Sequence, residues 1–154
     1  MIKEIECDIF KSGADIICHQ VNCQGKMGNG IAKQVREKYP EVYSDYVIFC
    51  QTYPKEKLLG QCFLVVTKND GPLIANLFGQ SNYGYDGKLY TNYDALRTSL
   101  EKLVKWIRPN TTIAFPYKMS CDRGGGDWNI VLNMIKEIFD KENFNILICK
   151  YNGN

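Results

Sequence analysis

The sequence predicts an α/β protein, a three-layer α/β/α sandwich with a central mixed sheet, built as a single domain over 1–154. Three observations predict it. The second half alternates strand, helix, strand, helix, strand. Its two helices carry apolar stripes at helical spacing. Its strands are short apolar runs of the kind that are covered by helices on both faces. At 154 residues with 45% hydrophobic content, the chain has the size and composition of one compact domain.

Taken in order, Met1–Glu6 reads as a first strand with Ile2 and Ile5 apolar. Asp15–Val21 is a short apolar run bounded by Gly13 and Asn22, as expected of a buried strand. Gly30–Lys38 has helical character and stops before Pro40, and Glu41–Gln51 is a second helical piece with Val42, Tyr46 and Phe49 on one side. Gln61–Thr67 and Leu73–Phe78 are strands joined by the turn Asn69-Asp70-Gly71-Pro72. Asn92–Ile107 is the most regular helix: Tyr93, Leu96, Leu100, Leu103, Val104 and Ile107 form one stripe, Thr91 with Asp94 reads as a capping box, and Pro109 stops it. Thr111–Phe115 is the next strand. Asp127 then caps a helix carrying Trp128, Val131, Leu132, Ile135, Ile138 and Phe139, and Phe144–Cys149 is the last strand.

Composition narrows the chemistry. With His19 as the one histidine, a zinc site of two or three histidines is excluded within one chain, as is a mechanism needing a histidine pair. The seven cysteines are odd in number and include no C-x-x-C pair, so they read as buried reduced thiols and not as a disulfide or metal framework. A net charge of +2 leaves no footprint for nonspecific nucleic-acid binding. No apolar stretch approaches the roughly 18–20 residues a membrane span needs. The opening segment carries acids and no apolar run, unlike a signal peptide. The expected protein is cytoplasmic and monomeric, with no membrane partner, cofactor or metal.

Sheets of this class bind ligands beyond the carboxyl ends of their strands, and three loops there stand out. Cys7-Asp8-Ile9 follows the first strand, where Asp8 either caps a turn or accepts from an exocyclic amine. The segment 22–32 carries Gly25, Gly28 and Gly30 and opens a helix. It is either a plain turn or a backbone cradle for an anion at the helix start. It matches neither G-x-G-x-x-G nor a Walker A motif. The segment 116–128 is again strand, glycine-rich loop and helix, with Gly124, Gly125 and Gly126 in a row. Such glycines are costly to order, which argues against a merely connective loop. Two such units in one small domain suggest one ligand with two phosphates gripped from both sides.

These residues carry a resemblance. ECDIF (6–10), HQVNCQGKMGNGIAKQV (19–35), YPEVYSDYVIFCQ (39–51), LLGQCFLV (58–65), ANLFGQ (75–80), YTNYDALRTSL (90–100) and FPYKMSCDRGGGDWNIV (115–131) occur in the order expected of a macrodomain, the ADP-ribose-binding module. The chain is similar to the subclass that includes terminal ADP-ribose glycohydrolases and the yeast-type ADP-ribose 1″-phosphatase. The resemblance implies that Asp8 binds the adenine amine, with a backbone contact from Ile9. It implies that Gln20, Val21 and Asn22 lie along the distal ribose, and that Met27, Gly28, Asn29, Gly30, Ile31 and Ala32 wrap ribose and diphosphate. Pro116 and Met119 lead into a second phosphate loop of Ser120, Cys121, Asp122, Arg123, Gly124, Gly125 and Gly126, and Tyr151 flanks the adenine. Two departures stand out. Relatives read Gly-Cys-Gly and an aliphatic residue where this chain has Ser120-Cys121-Asp122-Arg123, and Gln80 occupies the position of the glycohydrolase lysine.

The implied function is ADP-ribose binding with hydrolysis of ADP-ribosyl linkages at C1″, from a modified protein or nucleic acid or from an O-acyl-ADP-ribose. The catalytic candidates are Asp122 as base or nucleophile, Lys88 or His19 as proton donor or electrostatic partner, and Asn22 to orient the ribose. His19 also reads as a core histidine. The alternatives are a non-catalytic ADP-ribose reader, an ADP-ribose 1″-phosphate phosphatase, and an interaction module with a degenerate pocket.

Overall fold

The structure, a computed structural model, describes residues 1–84, 86–121, 124–140 and 143–151. Six strands, β1 (Ile2–Glu6), β2 (Ile16–Val21), β3 (Cys62–Val66), β4 (Leu73–Phe78), β5 (Thr112–Pro116) and β6 (Asn145–Lys150), form one sheet in the order β1-β6-β5-β2-β4-β3. All pairings are parallel except β3 with β4. That exception follows from the connection: antiparallel neighbours can be joined by a short turn, while parallel ones need a crossover. Asn69 and Asp70 in that turn both adopt φ +59, a conformation Asn and Asp tolerate better than most residues.

The helices are α1 (Gly30–Lys38), α2 (Pro40–Thr52), α3 (Lys55–Leu58), α4 (Tyr93–Trp106) and α5 (Trp128–Phe139). Side-chain alternation along β2 sorts them into two outer layers. Ile16 and Cys18 pack with Leu96, Leu100, Leu103, Val131 and Ile135 of α4 and α5. Ile17 and Val21 pack on the other face with Val35, Val42 and Tyr46 of α1 and α2. The mixed three-layer architecture is therefore the one expected. The single turn of α3 has no counterpart in the sequence reading, because four residues are too few to show a period.

One cap differs from expectation. Asn92, not Thr91, caps α4: its Oδ1 accepts from the Ala95 N–H at 3.0 Å. The Thr91 hydroxyl is drawn away to the Ser120 carbonyl at 2.8 Å. Asp127 caps α5 as expected, accepting from the Asn129 N–H at 2.8 Å. Pro40 both ends α1 and opens α2, a helix position where its missing N–H costs nothing.

Because five strands run parallel, their carboxyl ends share one edge of the sheet. Residues 7–8, 151, 117, 22 and 79–80 follow directly from them. The cap assignment is checked by urea unfolding. Asn92→Ala should lose about 1 kcal/mol and Asp94→Ala only a few tenths; a larger loss at Asp94 contradicts it.

Candidate functional site

Three adjoining cavities form a cleft along that edge. The first, about 400 Å³, includes Asp8, Ile9, Ile31, Pro116 and Tyr151 in its lining. The middle one, about 500 Å³, shares Ile31, Pro116 and Tyr151 with it and adds His19, Gly30, Met119, Ser120 and Gly124. The far one, about 400 Å³, shares Gln20, Asn29, Ala32 and Gln80 with the middle and adds Val21, Asn22, Met27 and Gly28. Sixteen of the twenty-one ligand-binding residues inferred from sequence thus meet in one cleft.

The chemistry changes along it. At one end Asp8 is the one carboxylate among the described lining residues. Its Oδ1 caps a 3-10 turn, accepting from the Phe10 N–H at 3.0 Å, and the residue also lines the first cavity. In the middle, α1 begins at Gly30 without a capping bond from the Asn29 side chain. The N–H groups of Gly30, Ile31 and Ala32 have no intrahelical partner, and these residues line the cleft. At the far end, Lys26 and Arg36 bring two positive charges.

Gln20 joins the surrounding segments. Its Nε2 donates to Gln80 Oε1 at 2.6 Å and Thr91 Oγ1 at 2.9 Å, and its Oε1 accepts from Ser120 Oγ at 2.7 Å. Gln80 in turn donates to the Asn82 carbonyl at 2.7 Å. The side chain at the expected lysine position is therefore committed to the scaffold.

The glycines divide into two kinds. A Cβ at Gly28 or Gly30 would meet nothing within 4 Å. In the second loop the glycines are required by the protein itself. A Cβ at Gly124 would lie 2.4 Å from Thr91 Oγ1, at Gly125 2.5 Å from the Lys88 carbonyl oxygen, and at Gly126 2.8 Å from the Ser120 carbonyl oxygen. All three therefore have a packing reason within the protein, against Thr91, Lys88 and Ser120, and Gly124 also lines the middle cavity. Ser120 itself sits at φ +73, a conformation glycine takes without penalty, and its Oγ bond to Gln20 offsets the strain.

The catalytic candidates are placed unequally. Asp122, and Arg123 beside it, lie outside the described residues. Lys88 is exposed, lies 3.7 Å from Asp86 Oδ2, and is not among the lining residues of the three cavities. Asn22 lines the far cavity, but its Oδ1 accepts from Gln24 N–H and Tyr46 O–H and its Nδ2 donates to the Lys26 carbonyl. One amide hydrogen remains for a ligand. His19 is 2% exposed and shares a 2.7 Å hydrogen bond between its Nε2 and Asn76 Oδ1. Burial drives the imidazole down to about 4, so it is neutral at pH 7, with Nδ1 lacking a partner among the described residues. Of the inferred residues in the second loop, Cys121 holds its thiol near the Met119 carbonyl and is not in the cavity linings, and Gly125 and Gly126 buttress the loop from behind. Burial pushes the Cys23 and Cys121 thiols to about 11, which leaves both poor nucleophiles.

Lys26, Arg36, Tyr43 and Tyr83 of the far cavity escaped the sequence reading. The signal was present for Arg36: it lies four residues after Ala32, on the helix face that looks into the cleft. Tyr43 and Tyr83 come from other segments and had no local signal.

The Macro domain family model matches residues 18–135. Over 98 residues the chain is 37% identical to the ADP-ribose 1″-phosphate phosphatase of Saccharomyces cerevisiae, covering 60% of this chain and 53% of that protein. It is 29% identical over 136 residues to the DNA ADP-ribosyl glycohydrolase of Mycobacterium tuberculosis, covering 87% of this chain and 37% of that one. The chain thus spans about half the first relative's length and little more than a third of the second's. Among solved structures, the macrodomain of Mycobacterium tuberculosis DarG superposes with a TM-score of 0.80 at 25% identity, covering 100% and 99% of the two chains. Thermosipho africanus DarTG in complex with ADP-ribose gives 0.78 at 21%, covering 97% and 41%.

The His19 environment has a consequence for stability. Its folded pKa lies below the unfolded 6.5, so the unfolded chain takes the proton first. Stability is complete above pH 6.5 and falls by roughly 3 kcal/mol as pH drops toward 4. In denaturant titrations across that window, His19→Gln should lack this component; parallel pH profiles for the two proteins would refute it.

Proposed function

This chain belongs to the Macro domain family, and on that premise we propose that it binds ADP-ribose along the cleft and hydrolyses ADP-ribosyl linkages at C1″. One observation carries the reading: the order of chemistry from Asp8, through the uncapped start of α1, to the cationic far cavity. Adenine sits in the first cavity, its amine donating to Asp8 and its ring beside Tyr151. The diphosphate lies against the N–H groups of residues 30–32, where the helix dipole and the unpaired donors both favour an anion. Gly28 and Gly30, with open space where a Cβ would be, let the backbone approach it. The distal ribose enters the far cavity beside Gln20, Val21 and Asn22.

Cleavage at C1″ requires the ribose to be held while charge develops on the departing group. Asn22 offers its remaining amide hydrogen to the ribose, and Asp122 is the carboxylate that the sequence assigns as base or nucleophile. The hydrolase names of the yeast and mycobacterial relatives support the activity. Acceptors of this class include protein carboxylate esters, nucleobases, a 1″-phosphate and the acyl group of O-acyl-ADP-ribose, and a cytoplasmic setting suits all of them. A reader that binds without cleaving is the second reading. It is favoured by one observation, that Gln80 is consumed by Gln20 and Asn82 and no carboxylate lines the far cavity among the described residues.

Calorimetry with ADP-ribose tests binding. Asp8→Asn keeps an oxygen for the turn cap but loses the carboxylate, and should weaken binding by roughly 1–3 kcal/mol; unchanged affinity removes the adenine assignment, and no binding by the native chain at millimolar ligand removes the function. Release of ADP-ribose from a glutamate-linked peptide, from ADP-ribose 1″-phosphate and from an ADP-ribosylated oligonucleotide then separates hydrolase from reader, a reader cleaving none of them, with turnover lost in Asp122→Ala if the base is assigned correctly.

A further inference from the structure

The far cavity extends to a wall that ADP-ribose itself leaves unexplained. Arg36 and Lys26 stand there, from the last turns of α1 and from the loop after β2, and no carboxylate joins them among the described lining residues. Neither takes part in an ion pair among the described residues; Glu37, next to Arg36 in sequence, faces Lys33 at 4.0 Å. Arg36 has a side-chain contact and Lys26 a fixed backbone. The Arg36 guanidinium carbon lies 4.5 Å from the centre of the Tyr43 ring, within cation–π range. The Lys26 backbone is pinned on both sides by Asn22, whose Nδ2 donates to its carbonyl at 3.0 Å and whose Oδ1 accepts from its N–H at 3.4 Å. Asn22 is in turn braced by Tyr46 O–H from α2 at 2.9 Å. Two exposed cations line this cavity with no carboxylate among its described lining residues, and together they offer an anion two positive partners.

We propose that Arg36 and Lys26 form an acceptor subsite that selects ADP-ribosyl compounds bearing a phosphate on the far side of C1″. This rests on the binding reading above. With adenine at Asp8 and the diphosphate at α1, the group attached to C1″ is the part of the substrate that meets these cations. A neutral ester linkage gains little from them. A phosphate on C1″, or a nucleic-acid phosphate next to a modified base, gains a planar two-pronged partner from arginine and a point charge from lysine. In the hydrolytic step the water oxygen bonds to C1″ as the C1″–O bond to the phosphate or the C1″–N bond to the base breaks, or bonds to phosphorus as the P–O bond to the C1″ oxygen breaks; one water proton goes to the leaving atom, and the two cations stabilise the phosphate charge throughout.

The test is competition against a fluorescent ADP-ribose, read within seconds of mixing, with product release followed in the same samples. Four competitors are used: ADP-ribose, ADP-ribose 1″-phosphate, an ADP-ribosylated single-stranded oligonucleotide and a glutamate-linked ADP-ribosyl peptide. For the native chain at low salt, at least one phosphate-bearing competitor should bind ten times or more tighter than ADP-ribose, with the peptide equal to ADP-ribose. Which phosphate compound gains identifies the source of the phosphate. The ratio of phosphate compound to ADP-ribose should fall at least fivefold in Arg36→Gln and approach one in Arg36→Gln with Lys26→Gln, with Arg36→Lys intermediate. Tight ADP-ribose binding with no phosphate preference overturns the subsite and leaves the binding reading standing. So does a preference that survives in the double variant. Failure of ADP-ribose to compete at all overturns the binding reading beneath it.

Discussion

The Gln20 side-chain amide is the contact on which the cleft depends. One residue at the end of a central strand reaches the segment after β4 through Gln80, the entry to α4 through Thr91 and the loop after β5 through Ser120. Gly79 and Gly124 leave it room, since a Cβ at the first would lie 2.3 Å from Gln20 Oε1 and at the second 3.1 Å from Nε2. Buried side-chain networks hold geometry well when every member is satisfied, and here both atoms of the amide are. The altered second loop is part of this arrangement. Ser120, where the resemblance expects a glycine, keeps a glycine-like φ, and Gln80, where it expects a lysine, accepts from Gln20.

A division of labour follows. The second loop's glycines allow close packing within the protein, and the loop serves as a wall. The first loop's Gly28 and Gly30 face open space, and the proposed binding mode makes that loop the cradle. Its far end is braced by aromatic residues of α2: Tyr46 donates to Asn22, and Tyr43 lies under Arg36. The residues that hold the far cavity open are therefore tied to the hydrophobic layer that α2 shares with the sheet, in which Tyr46 packs 5.8 Å from Phe78.

Much of this was legible in the sequence because it is local. Apolar periodicity gave the strands and long helices, and glycine-rich segments after strands pointed to two loops that line the cleft. The non-local parts were not legible. Thr91 reads as a cap until Ser120, distant in sequence, competes for its hydroxyl. The triple glycine reads as a ligand loop, and its packing against Lys88 and Thr91 is a second, non-local reason for it. His19 is adjacent to the first loop, yet its position on the strand face turned toward α1 and α2 buries it beside Asn76, a cross-strand pairing that no local pattern shows. The cationic end needed three segments, 26, 36 and 43, brought together by the packing of α1 on α2.

The most direct measurement is a crystal structure of the chain with ADP-ribose. The account predicts the adenine amine within hydrogen-bond distance of Asp8, the diphosphate against the amides of residues 30–32, and C1″ in the far cavity opening toward Arg36 and Lys26. A ligand bound in the reverse direction, with adenine between those cations, or bound elsewhere on the surface, would contradict it.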